Sequence, residues 1–361
     1  MRHELAHNNK LMANRNRNLM TDRHALTQRV EVEDFGFSDT ISGKQRRVED
    51  EKIGKEFVLT NTLYGHTRQV RSMTYNTDGT RLASGSFDST INIWNMSKGG
   101  ELVQTLTGHT SYVLSVAYNE DGSHLASGSA DSTINIWDMS NGGELVRTLT
   151  GNGAYVNSVA YNEDGSQLAS GAGDDTIKIW NMTNGGELLQ TLTGHTGSVY
   201  SVAYSEDGTQ LASGSHDGTI RIWNMSKGGE LVQTLTGHTD RVLSVVYNED
   251  GSHLVSGSQD NTIKIWDMSK GGELLQTLTG HAGGVKSVAH NEDGSHLASG
   301  SGDRTIKIWN MRNGGELLQT LTGHTGSVYS VAYSEDGTQL ASGSFYKPIE
   351  IWECANCRAG K

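Results

Sequence analysis

The sequence predicts an all-β fold: a closed ring of seven sheets, each made of four antiparallel strands. Three observations predict it. A 43-residue unit recurs seven times, with glycine at 65, 108, 151, 194, 237, 280 and 323 and tryptophan at 94, 137, 180, 223, 266, 309 and 352, so that every Trp of the chain is used. Each unit holds four short apolar runs separated by glycine-rich turns. The composition agrees, with 45 Gly, one Pro and only 34% apolar residues in 361, which suits many short strands better than a helical bundle.

Residues 1–56 stand apart. They are rich in Asn and Arg, with irregularly spaced apolar residues and no sustained heptad, and read as a flexible or partly helical N-terminal extension. The regular pattern starts at Phe57. In the fourth unit the runs are Val199–Tyr204, Gln210–Ser215, Thr219–Trp223 and Glu230–Leu235, the first alternating with a period of two. Asp207-Gly208, a favoured hairpin pair, joins the first two; Asp217-Gly218 joins the next; Lys227-Gly228-Gly229 joins the last. One such meander cannot bury both faces, whereas seven packed around an axis can. The last unit ends at Trp352-Glu353 without a fourth run, and only the tail 354–361 follows. Residues 57–63, FVLTNTL, align with the fourth run of a unit, so they are expected to pair with the last unit and close the ring, removing its open edges.

The recurring pairs and triplets resemble the WD-repeat family: Gly194-His195, then Ser213-Gly214-Ser215 followed by Asp217, then Ile222-Trp223-Asn224. The resemblance covers Phe57–Glu353. It implies a seven-bladed β-propeller acting as a protein-interaction platform, without catalysis. The closing dipeptide is Trp-Asp at Asp138 and Asp267, Trp-Asn at Asn95, Asn181, Asn224 and Asn310, and Trp-Glu at Glu353.

His, Ser and Asp in one unit could suggest a hydrolytic triad, but a set repeated blade after blade argues for a structural role. The resemblance implies a chain of hydrogen bonds from Asp to His, His to Ser and Ser to the indole. Its members are His66, Ser84, Asp88 and Trp94; His109, Ser127, Asp131 and Trp137; His195, Ser213, Asp217 and Trp223; His238, Ser256, Asp260 and Trp266; and His281, Ser299, Asp303 and Trp309. Ser213 is preferred to Ser215 as the acceptor. Such a network is expected to be fully paired, because each buried polar group left alone costs about 1–3 kcal/mol. Two units break the pattern. The third has Asn152 for His and Ala172 for Ser; the seventh has Tyr346 for Asp, followed by Lys347-Pro348. Both are expected to be locally looser, the seventh opening first.

Copies this similar invite attention to the offsets where they differ. Three residues after the His position come Gln69, Tyr112, Tyr155, Ser198, Arg241, Gly284 and Ser327; five after it, Arg71, Leu114, Asn157, Tyr200, Leu243, Lys286 and Tyr329; just before the Asp position, Phe87, Ala130, Gly173, His216, Gln259, Gly302 and Phe345. All three offsets fall at one end of the unit, which the family resemblance makes the top face around the channel mouth. Aromatic residues and the cations Arg71, Arg241 and Lys286 concentrate there. Tyr and Arg are frequent binding hot spots, so an acidic or phosphorylated peptide or protein is the expected partner. The candidate partner-binding set is Gln69, Arg71, Phe87, Tyr112, Leu114, Tyr155, Asn157, Tyr200, His216, Arg241, Leu243, Gln259, Lys286, Tyr329 and Phe345. Units four and seven are identical over Gly194–Ser215 and Gly323–Ser344, giving Tyr200 and Tyr329 equivalent settings.

Charge and composition exclude other classes. The formal net charge is -12; residues 1–56 are near neutral, and the repeat array, with 18 Lys/Arg against 31 Asp/Glu, is acidic. Such a surface disfavours nucleic acid. No apolar run reaches membrane-spanning length and no signal core is present, so an intracellular protein, cytoplasmic or nuclear, without membrane insertion is expected. Cys354 and Cys357 form a CxxC, but two thiols cannot fill a structural zinc site, and the chain has no disulfide framework; a free tail is expected. Asn95, Asn181 and Asn224 begin glycosylation sequons, which matter only in a secreted protein. His124, His253 and His296 share one offset on separate units and read as strand-entry residues. Neither metal nor cofactor is expected. The leading expectation is a non-catalytic scaffold, a monomeric propeller within a larger complex. The alternatives are a sensor or regulatory propeller of a signalling assembly and, further off, an enzyme using the central channel.

Overall fold

The computed structural model of the chain describes residues 56–346 and 348–355; the N-terminal segment up to residue 55 and the tail from residue 356 lie outside them. The described residues form seven four-stranded antiparallel sheets. Within each blade the strands run a to d from the channel outward. Blade 1 comprises Val70–Tyr75, Arg81–Ser86, Thr90–Asn95 and Glu101–Thr107; blade 4 comprises Val199–Tyr204, Gln210–Ser215, Ile220–Asn224 and Glu230–Leu235.

The ring closes as the sequence predicts. Strand Phe57–Leu63 is the outer strand of blade 7 and pairs antiparallel with Ile349–Cys354, Phe57 opposite Cys354 and Leu63 opposite Ile349. Phe57 and Leu63 are buried. Gln319 of blade 6 clamps the start of the strand, accepting from Phe57 N–H and donating to its carbonyl, both at 2.8 Å.

Three local details depart from the simplest turn chemistry. The a–b connection of blade 4 is a five-residue loop, Ser205–Thr209, rather than a two-residue hairpin; Ser205 N–H donates to Gln210 O at 3.0 Å, and Gly208, at φ 64°, turns the chain. The third strand begins at Ile220, one residue later than expected; Thr219, just before it, is tied to Asp217 Oδ1 through its N–H at 2.9 Å and its hydroxyl at 2.7 Å. The c–d connection contains a short 3-10 turn, Met225–Lys227, ended by Gly228 at φ 71°, where a left-handed conformation favours glycine.

Packing is between blades, not within them. Ala169, Ile177, Ile179 and Leu192 of blade 3 bury against Val199, Val202, Leu211 and Trp223 of blade 4. At the seam, Leu63, Ile349 and Ile351 meet Val70, Met73, Leu82 and Trp94 in the same way. The middle glycine of each Ser-Gly-Ser lets this happen: a Cβ on Gly214 would stand 2.7 Å from Val242 Cγ1 of the next blade, and one on Gly343 would stand 2.7 Å from Val70 Cγ1 across the seam.

The inner strands add a closed circle of hydrogen bonds. Val116 N–H donates to Ser72 Oγ of the preceding blade at 3.1 Å. The same bond runs from Val159 to Ser115, Val202 to Ser158, Val245 to Ser201, Val288 to Ser244 and Val331 to Ser287. Met73 N–H to Ser330 Oγ, at 3.0 Å, completes it. Each serine therefore holds a backbone group that the sheets themselves leave unpaired.

Candidate functional site

The His–Ser–Asp–Trp sets come together inside blades 1, 2, 4, 5 and 6. The His66, His109, His195, His238 and His281 Nδ1 atoms lie 2.8–3.0 Å from the Oδ2 of Asp88, Asp131, Asp217, Asp260 and Asp303. Their Nε2 atoms lie 2.8 Å from the Oγ of Ser84, Ser127, Ser213, Ser256 and Ser299. The same Oγ atoms accept the indole N–H of Trp94, Trp137, Trp223, Trp266 and Trp309 at 2.8–2.9 Å. Burial disfavours charge on both partners. Even so, hydrogen bonds from Thr219, His195 and the Thr196 N–H hold the Asp217 carboxyl well below the usual carboxylate range. Burial pushes the His195 imidazole down against the pull of Asp217. The protons then sort themselves: a neutral His donates Nδ1–H to the carboxylate and accepts the Ser hydroxyl at Nε2, leaving the Ser lone pair for Trp. In this state Nε2 accepts the Ser proton and Oγ is engaged on two sides, so the arrangement spans the blade interior.

Where the sequence breaks, so does the chain of bonds. In blade 3, Ser170 still takes the Trp180 N–H at 2.9 Å, but its bond to Asn152 Oδ1 stretches to 3.3 Å and Asn152 Nδ2 has no partner. Asp174 turns instead to Lys178 Nζ at 3.1 Å. In blade 7, His324 Nε2 meets Ser342 Oγ at 2.7 Å. With Tyr346 in the Asp position, the acid near this His is Glu350, whose Oε2 lies 3.1 Å from Nε2 but out of line for a hydrogen bond. Burial pushes the Glu350 carboxyl up to about 7 and the His324 imidazole down to about 4.

The variable offsets meet on one rim. In every blade the residue before the Asp position donates its N–H to the carbonyl three after the His position: Phe87 to Gln69, Ala130 to Tyr112, Gly173 to Tyr155, His216 to Ser198, Gln259 to Arg241 and Gly302 to Gly284, all at 2.8–2.9 Å, and Phe345 to Ser327 at 3.0 Å. Side chains then join across blades. Phe87 stacks on Tyr112 with centroids 4.4 Å apart and planes 4° apart. Arg71 lies over the Tyr329 ring at 5.5 Å. Lys286 Nζ donates to Gln259 Oε1 at 2.6 Å. Within blades 7 and 4, Tyr329 leans on Phe345 and Tyr200 on His216. Tyr112, Tyr155 and Phe345 are exposed; His216 and Arg241 are exposed too, and Gln69, Leu114 and Leu243 half-buried. Asn157 is committed to structure, its amide donating to Val199 O at 3.0 Å.

One residue that the offset comparison does not select packs onto this rim, and one further exposed aromatic departs from the repeat. Tyr346, 55% exposed, packs edge-on against Phe345, so the residue that breaks the blade-7 network extends the aromatic patch. Tyr64, 75% exposed, stands just before Gly65, where the other six copies carry Thr.

The opposite mouth has different chemistry. A cavity of about 540 Å³ is lined by Glu120, Glu206, Glu249, Glu292 and Glu335 above the inner-strand tyrosines. Burial, then mutual repulsion, raises Glu206 and Glu335. Among the described residues no group of three metal-ligating side chains converges, and no helix is long and apolar enough to cross a membrane.

The family model described as WD domain, G-beta repeat matches residues 57–95, 100–138, 143–181, 186–224, 229–267, 272–310 and 315–347. Each match begins at or just before an outer strand, so the repeat is staggered by one strand against the blade, and the first match carries the strand that closes blade 7. No curated protein is matched by the sequence. With seven matches spread over most of its length and seven closed blades, the chain belongs to the WD domain, G-beta repeat family.

Proposed function

We propose that the protein is a non-catalytic interaction scaffold that docks a peptide or protein on the rim carrying Arg71, Phe87, Tyr112, Tyr329 and Phe345. Propellers of this family generally bind proteins. One observation carries the finer reading: offsets that vary among otherwise near-identical copies form contacts from blade to blade, Gln259 to Lys286, Arg71 to Tyr329 and Phe87 to Tyr112. Flat aromatic surface with cations interleaved is the composition of binding hot spots. On an acidic array, cations held at one mouth favour an acidic or phosphorylated partner. The propeller works as one ring within a larger complex.

The test is selection of binding peptides from a random displayed library on the wild-type chain. The selected peptides should lose binding to Arg71→Ala/Arg241→Ala/Lys286→Ala and to Phe87→Ala/Tyr112→Ala. They should keep binding to Glu206→Gln/Glu335→Gln at the opposite mouth. Peptides indifferent to both rim variants would contradict the proposal.

A further inference from the structure

The seven blade boundaries are near copies, so one that departs stands out. At four of them an amide on the outer strand crosses to the c–d turn of the next blade: Gln104, Gln233 and Gln276 donate to the carbonyls of Gly142, Gly271 and Gly314, and Asn61 to that of Gly99. At the boundary of blades 2 and 3 the same offset carries Arg147. Its guanidinium lies against the Gly185-Gly186 turn of blade 3: a Cβ on Gly185 would stand 2.5 Å from Nη1 and 2.7 Å from Nη2. Among the described residues Arg147 makes no side-chain hydrogen bond and no ion pair.

Arg147 borders a cleft of about 390 Å³ between the two blades, walled by the apolar surfaces of Ile136, Val146, Tyr161 and Met182. Asp121 and Asp164, in the a–b loops of blades 2 and 3, border the same cleft. Each acid spends Oδ1 on its own turn, accepting the N–H of Ser123 at 2.8 Å or of Ser166 at 2.9 Å. The hydroxyl and N–H of these serines hold both carboxyls below the usual carboxylate value, so both are charged at neutral pH. His124, also on the wall, has Nδ1 2.8 Å from Ser123 Oγ. The cleft between blades 5 and 6, about 300 Å³, is the neutralised counterpart. There Gln276 fills the Arg147 offset, and the cation of the wall, Arg312, is paired with Asp293 Oδ2 at 3.0 Å.

Apolar walls, a free guanidinium and two carboxylates not paired with it match a zwitterion. An apolar carboxylic acid would meet Arg147 and be repelled by two aspartates; an apolar amine would meet the aspartates and be repelled by Arg147. An α-amino acid carries both charges close together and leaves its side chain for the walls, and the guanidinium fork suits its carboxylate. We propose that the cleft between blades 2 and 3 binds a free α-amino acid with an aliphatic side chain, Arg147 taking the carboxylate and Asp121 and Asp164 the ammonium. Asn119 borders both this cleft and the acidic mouth, so the site lies at the end opposite the docking rim and does not depend on it.

Calorimetric titration of the full chain with L-leucine tests the site. The comparison ligands are leucinamide, which lacks the carboxylate, 4-methylpentanoate, which lacks the ammonium, and glycine, which lacks the side chain. Leucine should bind saturably and each of the others about tenfold or more weakly. Arg147→Gln installs the residue that the repeat carries elsewhere, so the blade is retained, and leucine binding should weaken about tenfold. Asp164→Asn keeps the Oδ1 acceptor of its turn; it should weaken leucine and leave 4-methylpentanoate no weaker. Leucine affinity unchanged in Arg147→Gln, leucinamide binding as tightly as leucine, or no saturable leucine binding overturns the assignment.

Discussion

Replacing Ser213 by Ala puts the blade network to a quantitative test. Ser213 is fully buried; its Oγ accepts the Trp223 N–H at 2.9 Å and faces His195 Nε2 at 2.8 Å. Alanine removes the oxygen and leaves both nitrogens buried without a partner. At about 1–3 kcal/mol for each orphaned group, the expected loss is about 2–6 kcal/mol. Blade 3 supplies the control. Ser170→Ala also orphans an indole, Trp180, but the bond it gives up on the other side is the 3.3 Å contact with Asn152. Its cost should be smaller by about 1 kcal/mol or more. Urea unfolding followed by tryptophan fluorescence, with native-state hydrogen exchange to localise the change, measures both. A Ser213→Ala loss within about 0.5 kcal/mol, the range of an ordinary surface substitution, would refute the reasoning, as would equal costs in the two blades.

Three further outcomes follow from the same geometry. Deleting residues 57–63 strips the outer strand from blade 7 together with the buried Phe57 and Leu63, so the melting temperature should fall sharply or the chain aggregate; an unchanged melt contradicts the closure. Glu350 binds its proton more tightly folded, at about 7 against an ordinary 4.5, so its contribution is full below pH 4.5 and is lost as pH rises through 7. Glu350→Gln should match wild type in stability near pH 4 and exceed it by about 1–2 kcal/mol at pH 8, the shift being discounted for partial solvent screening; parallel curves would dismiss the burial argument. His324 works the other way in both proteins, losing stability as pH falls from 6.5 through about 4. Arg304 holds φ 73° in the b–c turn where blade 4 has Gly218 at φ 79°. Arg304→Gly should therefore stabilise by about 1 kcal/mol in urea unfolding, and a loss would show the side chain to be needed.

The sequence made the architecture legible because the signal repeats: seven copies fix strand order, and the orphan run at 57–63 announces the closure. What it hid is what depends on the neighbouring blade. Ser72 and its counterparts were visible as constant residues, yet the N–H that six of the seven hold lies 44 positions further on, and Ser330 holds that of Met73 across the seam; only the packing of two inner strands pairs them. The constant Gly214 likewise has its reason in Val242, a residue of the next unit. On the rim, the three offsets fall together at one end of the blade because backbone bonds tie the two loops together there. The offset rule could not sort Asn157, spent on Val199 O, from its exposed peers. Nor could it see that Tyr346, read as a broken lock, turns onto Phe345.

The central claim is that the rim of differing residues, and not the repeated blade interior or the acidic mouth, meets the partner. A photo-crosslinking amino acid placed at Tyr155 on the rim, and separately at Glu249 beside the opposite mouth, tests it most directly against the selected peptides. Crosslinks from position 155 and none from position 249 are predicted. Crosslinks from position 249 alone would contradict the account.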